Sequence, residues 1–228
     1  MTRLIAKVDT QINLDNILYT PNFDYSKSPY ASMEFPEVGG IDIFNIVDSP
    51  PKNSSQTTRS ELLYLQQITT NRNKEQLDLI YTVDDDPVYL FEDIISRYKL
   101  VFPKEFFIAM YYTCGIAIVD HLKFYYNRPR PYQLSEYYSI TINRIVTKTH
   151  KTPAYPSGHT MYAALVAEIL SDKYPEHRKE LNKLVDLCGK ARELQGVHYP
   201  SDNEAAKKII KTIYPELKKY YIGVGHEL

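Results

Sequence analysis

The most apolar stretch of the chain runs from Phe106 to Val119, and Pro103 stands shortly ahead of it. Proline is tolerated in the first turn of a helix and breaks a helix interior. The pattern therefore predicts a helix that opens at Pro103 and continues to Leu122. It is apolar nearly all round, as befits a central helix buried on every side. The run is also too short to cross a bilayer, which takes about twenty apolar residues. Such a helix needs partners to cover it, and several are readable. Leu62, Leu63, Leu65 and Ile68 form one helical stripe, and Leu77, Ile80 and Tyr81 a second. Asp84-Asp85-Asp86-Pro87 reads as a helix start rather than a metal site, because acidic residues favour the first turn and proline fits the first helical position. Val88, Phe91, Ile94 and Ile95 follow as the core face of that helix.

Three further helices are expected: from Ser157 to about Tyr174, from Pro175 to about Val197, and from Pro200 to Tyr221 with an interruption at Pro215. Ser139 to Ile142 alternates and is expected to be a short strand. Residues 1–57 are punctuated by Pro21, Pro29, Pro36, Gly39-Gly40 and Pro50-Pro51 and read as irregular. Their apolar pieces, Ile41, Ile43, Phe44, Ile46 and Val47, are expected to pack on the main body. The expected fold is therefore all-α: a single-domain helical bundle over residues 58–228 around a buried central helix, with an irregular N-terminal segment, 1–57, packed on it.

Composition narrows the function. Of 228 residues, 24% are charged and 43% hydrophobic, with a mean hydropathy of −0.39, which excludes a disordered tail and a polytopic membrane protein. A net charge of −1 leaves no global basic field for nucleic acid. Cys114 and Cys188 each sit in an apolar helical pattern without metal-ligand spacing, which favours two buried thiols in a reducing compartment over a disulfide. The segment Met1–Asn16 has no uninterrupted apolar core that would act as an export signal. The expected location is cytoplasmic. A homo-oligomer is left open.

Chemistry concentrates in three clusters. The first, Lys123 to Pro131, begins a stretch that carries Lys123, Arg128, Arg130, Arg144, Lys148 and Lys151 against the single acid Glu136. So local an excess of cations suits a small anion better than a polymer. The second, Pro156-Ser157-Gly158-His159, lies where an irregular stretch turns into a helix. Unpaired N–H groups at a helix start bind phosphate oxygens, and Gly158 lets backbone approach a ligand. His159 projects from that first turn. In the third, a helix reaches His198 and breaks before Pro200, and Asp202 falls in the next first turn. A carboxylate there can take a hydrogen bond from one ring nitrogen of His198, leaving the other free as a nucleophile. Arg192, upstream, offers a planar fork for phosphate oxygens. Each cluster alone has an ordinary structural explanation: a solvated basic loop, an N-cap serine, a capped helix-end histidine. Together they are far more specific.

The combination resembles the superfamily of type-2 phosphatidic acid phosphatases, bacterial non-specific acid phosphatases and vanadium-dependent haloperoxidases. The family pattern has Lys, six residues and Arg-Pro; then Pro-Ser-Gly-His; then Ser-Arg, five residues, His, three residues and Asp. Lys123 with Arg130-Pro131, Pro156 to His159, and Arg192, His198 and Asp202 meet it. Ala191 departs from it where the family has serine, without loss of a charged or nucleophilic group. The resemblance implies an all-α fold and a phosphohistidine mechanism. His198 would attack phosphorus, Asp202 would orient it, and His159 would protonate the leaving alcohol. Lys123, Arg130, Arg192, Ser157 and Gly158 would bind the phosphate oxygens. It implies no metal and no other cofactor, and a small phosphorylated substrate as partner. The leading reading is a soluble, metal-independent phosphomonoesterase. A vanadium-dependent haloperoxidase and a catalytically silent phosphate-binding protein are the alternatives.

Overall fold

The computed structural model describes residues 12–228, and among them there is no strand. The first eleven residues, which carry most of the segment read as lacking an export signal, lie outside the described residues. The chain forms α1 (Gln56–Thr70), α2 (Lys74–Asp85), α3 (Glu92–Tyr98), α4 (Lys104–Met110), α5 (Ile116–Tyr126), the short α6 (Pro131–Leu134), α7 (Gly158–Lys173), α8 (Arg178–Leu194) and α9 (Pro200–Gly223). The fold is all-α, as expected. No described helix is long and apolar enough to cross a membrane.

Local sequence explains most boundaries. The Ser55 hydroxyl accepts the Thr58 N–H and starts α1. Asn73 and Gln76 form a reciprocal capping box at the start of α2. The acidic run spans a junction: Asp84 and Asp85 end α2, while Asp86 accepts the Val88 N–H at 2.9 Å and caps a 3₁₀ turn, Pro87–Phe91, with Pro87 first. Between α4 and α5 the helix widens into a π turn, Tyr111–Gly115, so Pro103 to Tyr126 is one continuous but irregular rod.

The buried central helix is not that rod but α7. Residues Thr160 to Ala167 are all buried, as are Ile169, Leu170 and Ser171. The rod leaves Ile108, Tyr112 and Thr113 exposed. Alanines at 163, 164 and 167 explain the choice, because small side chains let α8 and α9 pack closely on α7. The α8–α9 crossing is tight as well. A Cβ on Gly189 would lie 3.1 Å from the Asn203 side chain.

Two other expectations differ from the structure. Ser139 to Ile142 forms no strand: Ser139 is left-handed, at φ +54°, where a 3₁₀ turn ends, and Ile140 to Ile142 have no strand partner among the described residues. Pro215 does not interrupt α9, which runs through it. The buried face of Ile209, Ile210, Ile213, Tyr214 and Leu217 holds the helix together across the missing N–H.

From residue 12 to α1 the chain makes only short 3₁₀ turns. Val38, Ile43, Ile46 and Val47 are buried in the main core. Tyr30 stacks on Phe124 of α5, with ring centroids 4.9 Å apart. Tyr25, Phe35 and Phe44 surround the His121 ring.

Candidate active site

Four elements bring the three sequence clusters together. The last turns of α5 supply Lys123, and the extended link before α6 supplies Arg130. The start of α7 carries Gly158 and His159. The end of α8 carries Arg192. Gly196, at φ +79°, turns the chain after α8, and a Cβ there would stand 2.9 Å from Ile142. That turn delivers His198 to the same place. A cavity of about 240 Å³ results, lined by Lys123, Arg130, Gly158, His159, Arg192 and His198 together with Tyr111, Ile116, Val119, Asp120, Thr149 and Thr152.

The hydrogen bonds around His198 fix its tautomer. Arg130 Nη1, a pure donor, lies 2.8 Å from Nε2, so Nε2 carries the lone pair. Nδ1 therefore holds the proton and donates to Asp202 Oδ2 at 3.0 Å. The same carboxylate oxygen accepts the Tyr199 N–H at 2.9 Å. Asp202 is wholly buried at the start of α9. Its other oxygen accepts from Arg128 Nη1 at 2.5 Å.

Arg128 is a residue the sequence reading left out of the site. Its guanidinium also reaches Glu61 of α1 at 3.1 Å and the Ser201 hydroxyl at 2.8 Å, and lies 3.8 Å from the centre of the Tyr199 ring. Glu61 in turn accepts from the Ser201 N–H and hydroxyl. A sequence signal existed, since Arg128 sits two residues before Arg130 in the same basic run. Its partner Glu61 lies far upstream on another helix and carried no signal. Asp84 was likewise read only as helix punctuation. It accepts from Arg192 Nη1 at 2.8 Å and from the hydroxyls of Thr147 and Thr149 at 2.7 and 2.5 Å. Burial opposes ionisation of Asp84, but these donors outweigh it and hold its pKa at about 2.

Ser157 stands apart from the other predicted site residues. It is fully buried, and its hydroxyl pairs with Thr160 at 3.0 Å, which itself donates to Asn203 at 2.8 Å. Thr160 has one hydroxyl proton and gives it to Asn203, so Ser157 is the donor in the first pair. Its backbone N–H donates to the Asp202 carbonyl at 3.1 Å. Ser157 thus ties the start of α7 to the start of α9 instead of lining the cavity. Ala191 is wholly buried in the core, where a hydroxyl would need a partner.

The electrostatics are those of an anion site. Lys123, Arg130 and Arg192 are all buried. Burial, then mutual repulsion, pushes the Lys123 ammonium well below its ordinary value and Arg130 down to about 10. Burial lowers Arg192 too. Lys123 donates to the Pro153 carbonyl at 2.6 Å, and Arg130 to the carbonyls of Thr152 and Val197. Neither has a carboxylate within ion-pair distance among the described residues. Burial and the adjacent cations push His198 and His159 well below the usual imidazole value. His150, outside the cavity lining, is pushed to about 4 by burial and Arg130. Cys114 and Cys188 are free and buried, and burial raises each thiol to about 12.

The family model described as the PAP2 superfamily matches residues 105–207. Over 121 residues the chain is 36% identical to a non-specific acid phosphatase of Salmonella typhimurium, an alignment covering 50% of this chain and 48% of the relative. A non-specific acid phosphatase of Salmonella typhi aligns with the same identity and coverage. The chain thus spans about half the length of the curated relatives it matches.

Proposed function

Because residues 105–207 match the PAP2 superfamily model, we propose that the chain belongs to that superfamily and is a phosphatase that hydrolyses phosphate monoesters through a phosphohistidine, without a metal ion. One observation carries the reading. His198 presents a lone pair on Nε2 toward a cavity walled by Lys123, Arg130 and Arg192, while its other nitrogen is held by a buried carboxylate. A neutral imidazole oriented in this way is a nucleophile, and three buried cations seek an anion.

The substrate phosphate displaces Arg130 Nη1 from Nε2 and takes its donors, together with those of Lys123, Arg192 and the Gly158 N–H. Nε2 attacks phosphorus, the P–O bond to the leaving group breaks, and the positive charge on the ring is offset by Asp202. Ser157 serves by fixing the turn that aims Gly158 and His159. His159 gives a proton to the departing oxygen and then takes one from the water that cleaves the P–N bond.

The depressed pKa of His159 shapes how that proton arrives. Burial and Arg192 hold the ring neutral in the empty site. A bound phosphate offsets the surrounding cations and raises the ring's proton affinity. A substrate monoanion can therefore bring the proton that its own leaving group takes away. Turnover accordingly rises as pH falls into the range where the monoester monoanion is abundant.

The test is hydrolysis of p-nitrophenyl phosphate with and without a strong chelator, followed by titration with vanadate. Expected are turnover unaffected by chelator and competitive inhibition by vanadate, whose trigonal-bipyramidal adduct mimics the transition state. Turnover abolished by chelator and restored by magnesium or zinc, or no effect of millimolar vanadate, contradicts the proposal.

A further inference from the structure

The charged side chains that line the catalytic cavity are the cations Lys123, Arg130 and Arg192, with one exception. Asp120 is the only carboxylate residue in it among the described residues. It lies one turn before Lys123 on α5, next to Val119 and near Tyr111 and Ile116, which share its wall. Lys123 gives its ammonium to the Pro153 carbonyl, and the Asp120 carboxylate has no hydrogen-bond or ion-pair partner among the described residues. Its charged and titratable surroundings are Lys123 on its own helix, Tyr111 from the π turn and Tyr30 from the N-terminal segment.

Exposure orders the cavity from floor to rim. Lys123, Arg130, Arg192 and His198 are buried, whereas His159 and Asp120 are only half-buried. The phosphate belongs on the floor, against His198. A leaving group pointing away from that floor would lie toward the half-buried residues of the lining, which include both His159 and Asp120.

We propose that Asp120 selects the leaving group, accepting a hydroxyl or ammonium group a few bonds from the ester oxygen and repelling leaving groups that are themselves anionic. This rests on the phosphatase reading above and names its substrate class: monoesters of polyols and amino alcohols, in preference to pyrophosphate and phosphorylated carboxylic acids. A carboxylate without a protein partner accepts such a donor in exchange for solvent, with no intramolecular hydrogen bond to break. The same charge disfavours a second anion beside it.

The experiment compares kcat/KM for phosphoethanolamine and for pyrophosphate in the wild-type enzyme, in Asp120→Asn and, as a smaller replacement, in Asp120→Ser. A hydrogen bond to a charged group corresponds to about a ten- to hundredfold effect. The wild type is expected to prefer phosphoethanolamine by at least that factor. Both variants are expected to bring the two values within about threefold, chiefly through KM. If both variants lose activity on the two substrates in equal proportion, Asp120 merely supports Lys123 and the proposal is wrong. An unchanged preference in either variant also overturns it while leaving His198-dependent hydrolysis, and so the phosphatase reading, intact. A wild-type enzyme that hydrolyses neither ester nor p-nitrophenyl phosphate overturns both.

Discussion

Arg128 and Arg130 are two residues apart, equally buried, and on either side of one histidine, yet their surroundings are opposite. Arg130 meets the Nε2 face of His198 and otherwise touches only backbone carbonyls. Arg128 acts behind the ring, where Asp202 and Glu61 neutralise it twice over. A buried cation without a counter-ion is costly, and a fold tolerates it where a ligand supplies the missing charge. A buried cation with two carboxylates is already complete and serves the architecture. Charge in the sequence therefore marks the site only together with its lack of a partner. Arg192, tied to Asp84 on one side and lining the cavity on the other, falls between the two.

Substitutions test this contrast directly. Arg130→Ala should lower kcat/KM by about a thousandfold, the scale of losing one preorganised donor in a phosphate cradle. It should leave the melting temperature unchanged or raised, because an uncompensated buried charge is removed. A marked loss of stability would show that Arg130 belongs with the architecture. Arg128→Ala should act the other way round. Leaving Asp202 and Glu61 buried without their shared counter-ion costs about 3–5 kcal/mol, readable by urea unfolding. Arg128→Ala in a Glu61→Gln background should cost less than the two single changes summed, since they share one network.

A third test uses pH. His198 and His159 have pKa values below their unfolded value of 6.5. The folded state thus binds fewer protons than the unfolded chain, and their contribution to stability is complete above pH 6.5. It is lost as the pH falls below 6.5 toward the folded values. The melting temperature of the free protein should fall over that range, and vanadate should restore part of it by neutralising the cations that repel the imidazolium. A profile flat between pH 7 and 5 would contradict the burial of neutral rings. The smallest effect belongs to ion pairs at the surface: Lys207→Ala, which breaks contacts of a half-buried lysine with the exposed Asp186 and Glu204, should change stability by at most about 1 kcal/mol.

The helices and the cavity-lining cations were legible because each is specified locally, by periodicity, by caps and by short spacings around Lys123, His159 and His198. What escaped was set by partners distant in sequence. Glu61 and Asp84 look like solvent-facing acids on α1 and at the end of α2 until tertiary packing brings Arg128 and Arg192 to them. The choice of α7 over the more apolar rod as the central helix follows from small residues that let two neighbours approach, which a hydrophobicity pattern does not register. Pro215 was over-read, because packing along α9 compensates one missing hydrogen bond. Ser157 was read as part of the phosphate cradle, but its hydroxyl pairs with Thr160, which in turn reaches Asn203 across the α7–α9 junction.

The most direct measurement is trapping of the covalent intermediate. Enzyme mixed with phosphorus-labelled p-nitrophenyl phosphate and quenched with acid within milliseconds should carry label that survives mild alkali, as a phosphoramidate does. Label should be absent from His198→Ala, whose turnover should fall by several orders of magnitude. A His198→Ala protein that hydrolyses the ester near the wild-type rate, or a wild-type enzyme whose label resides on another residue, would contradict the assignment of His198 as the nucleophile.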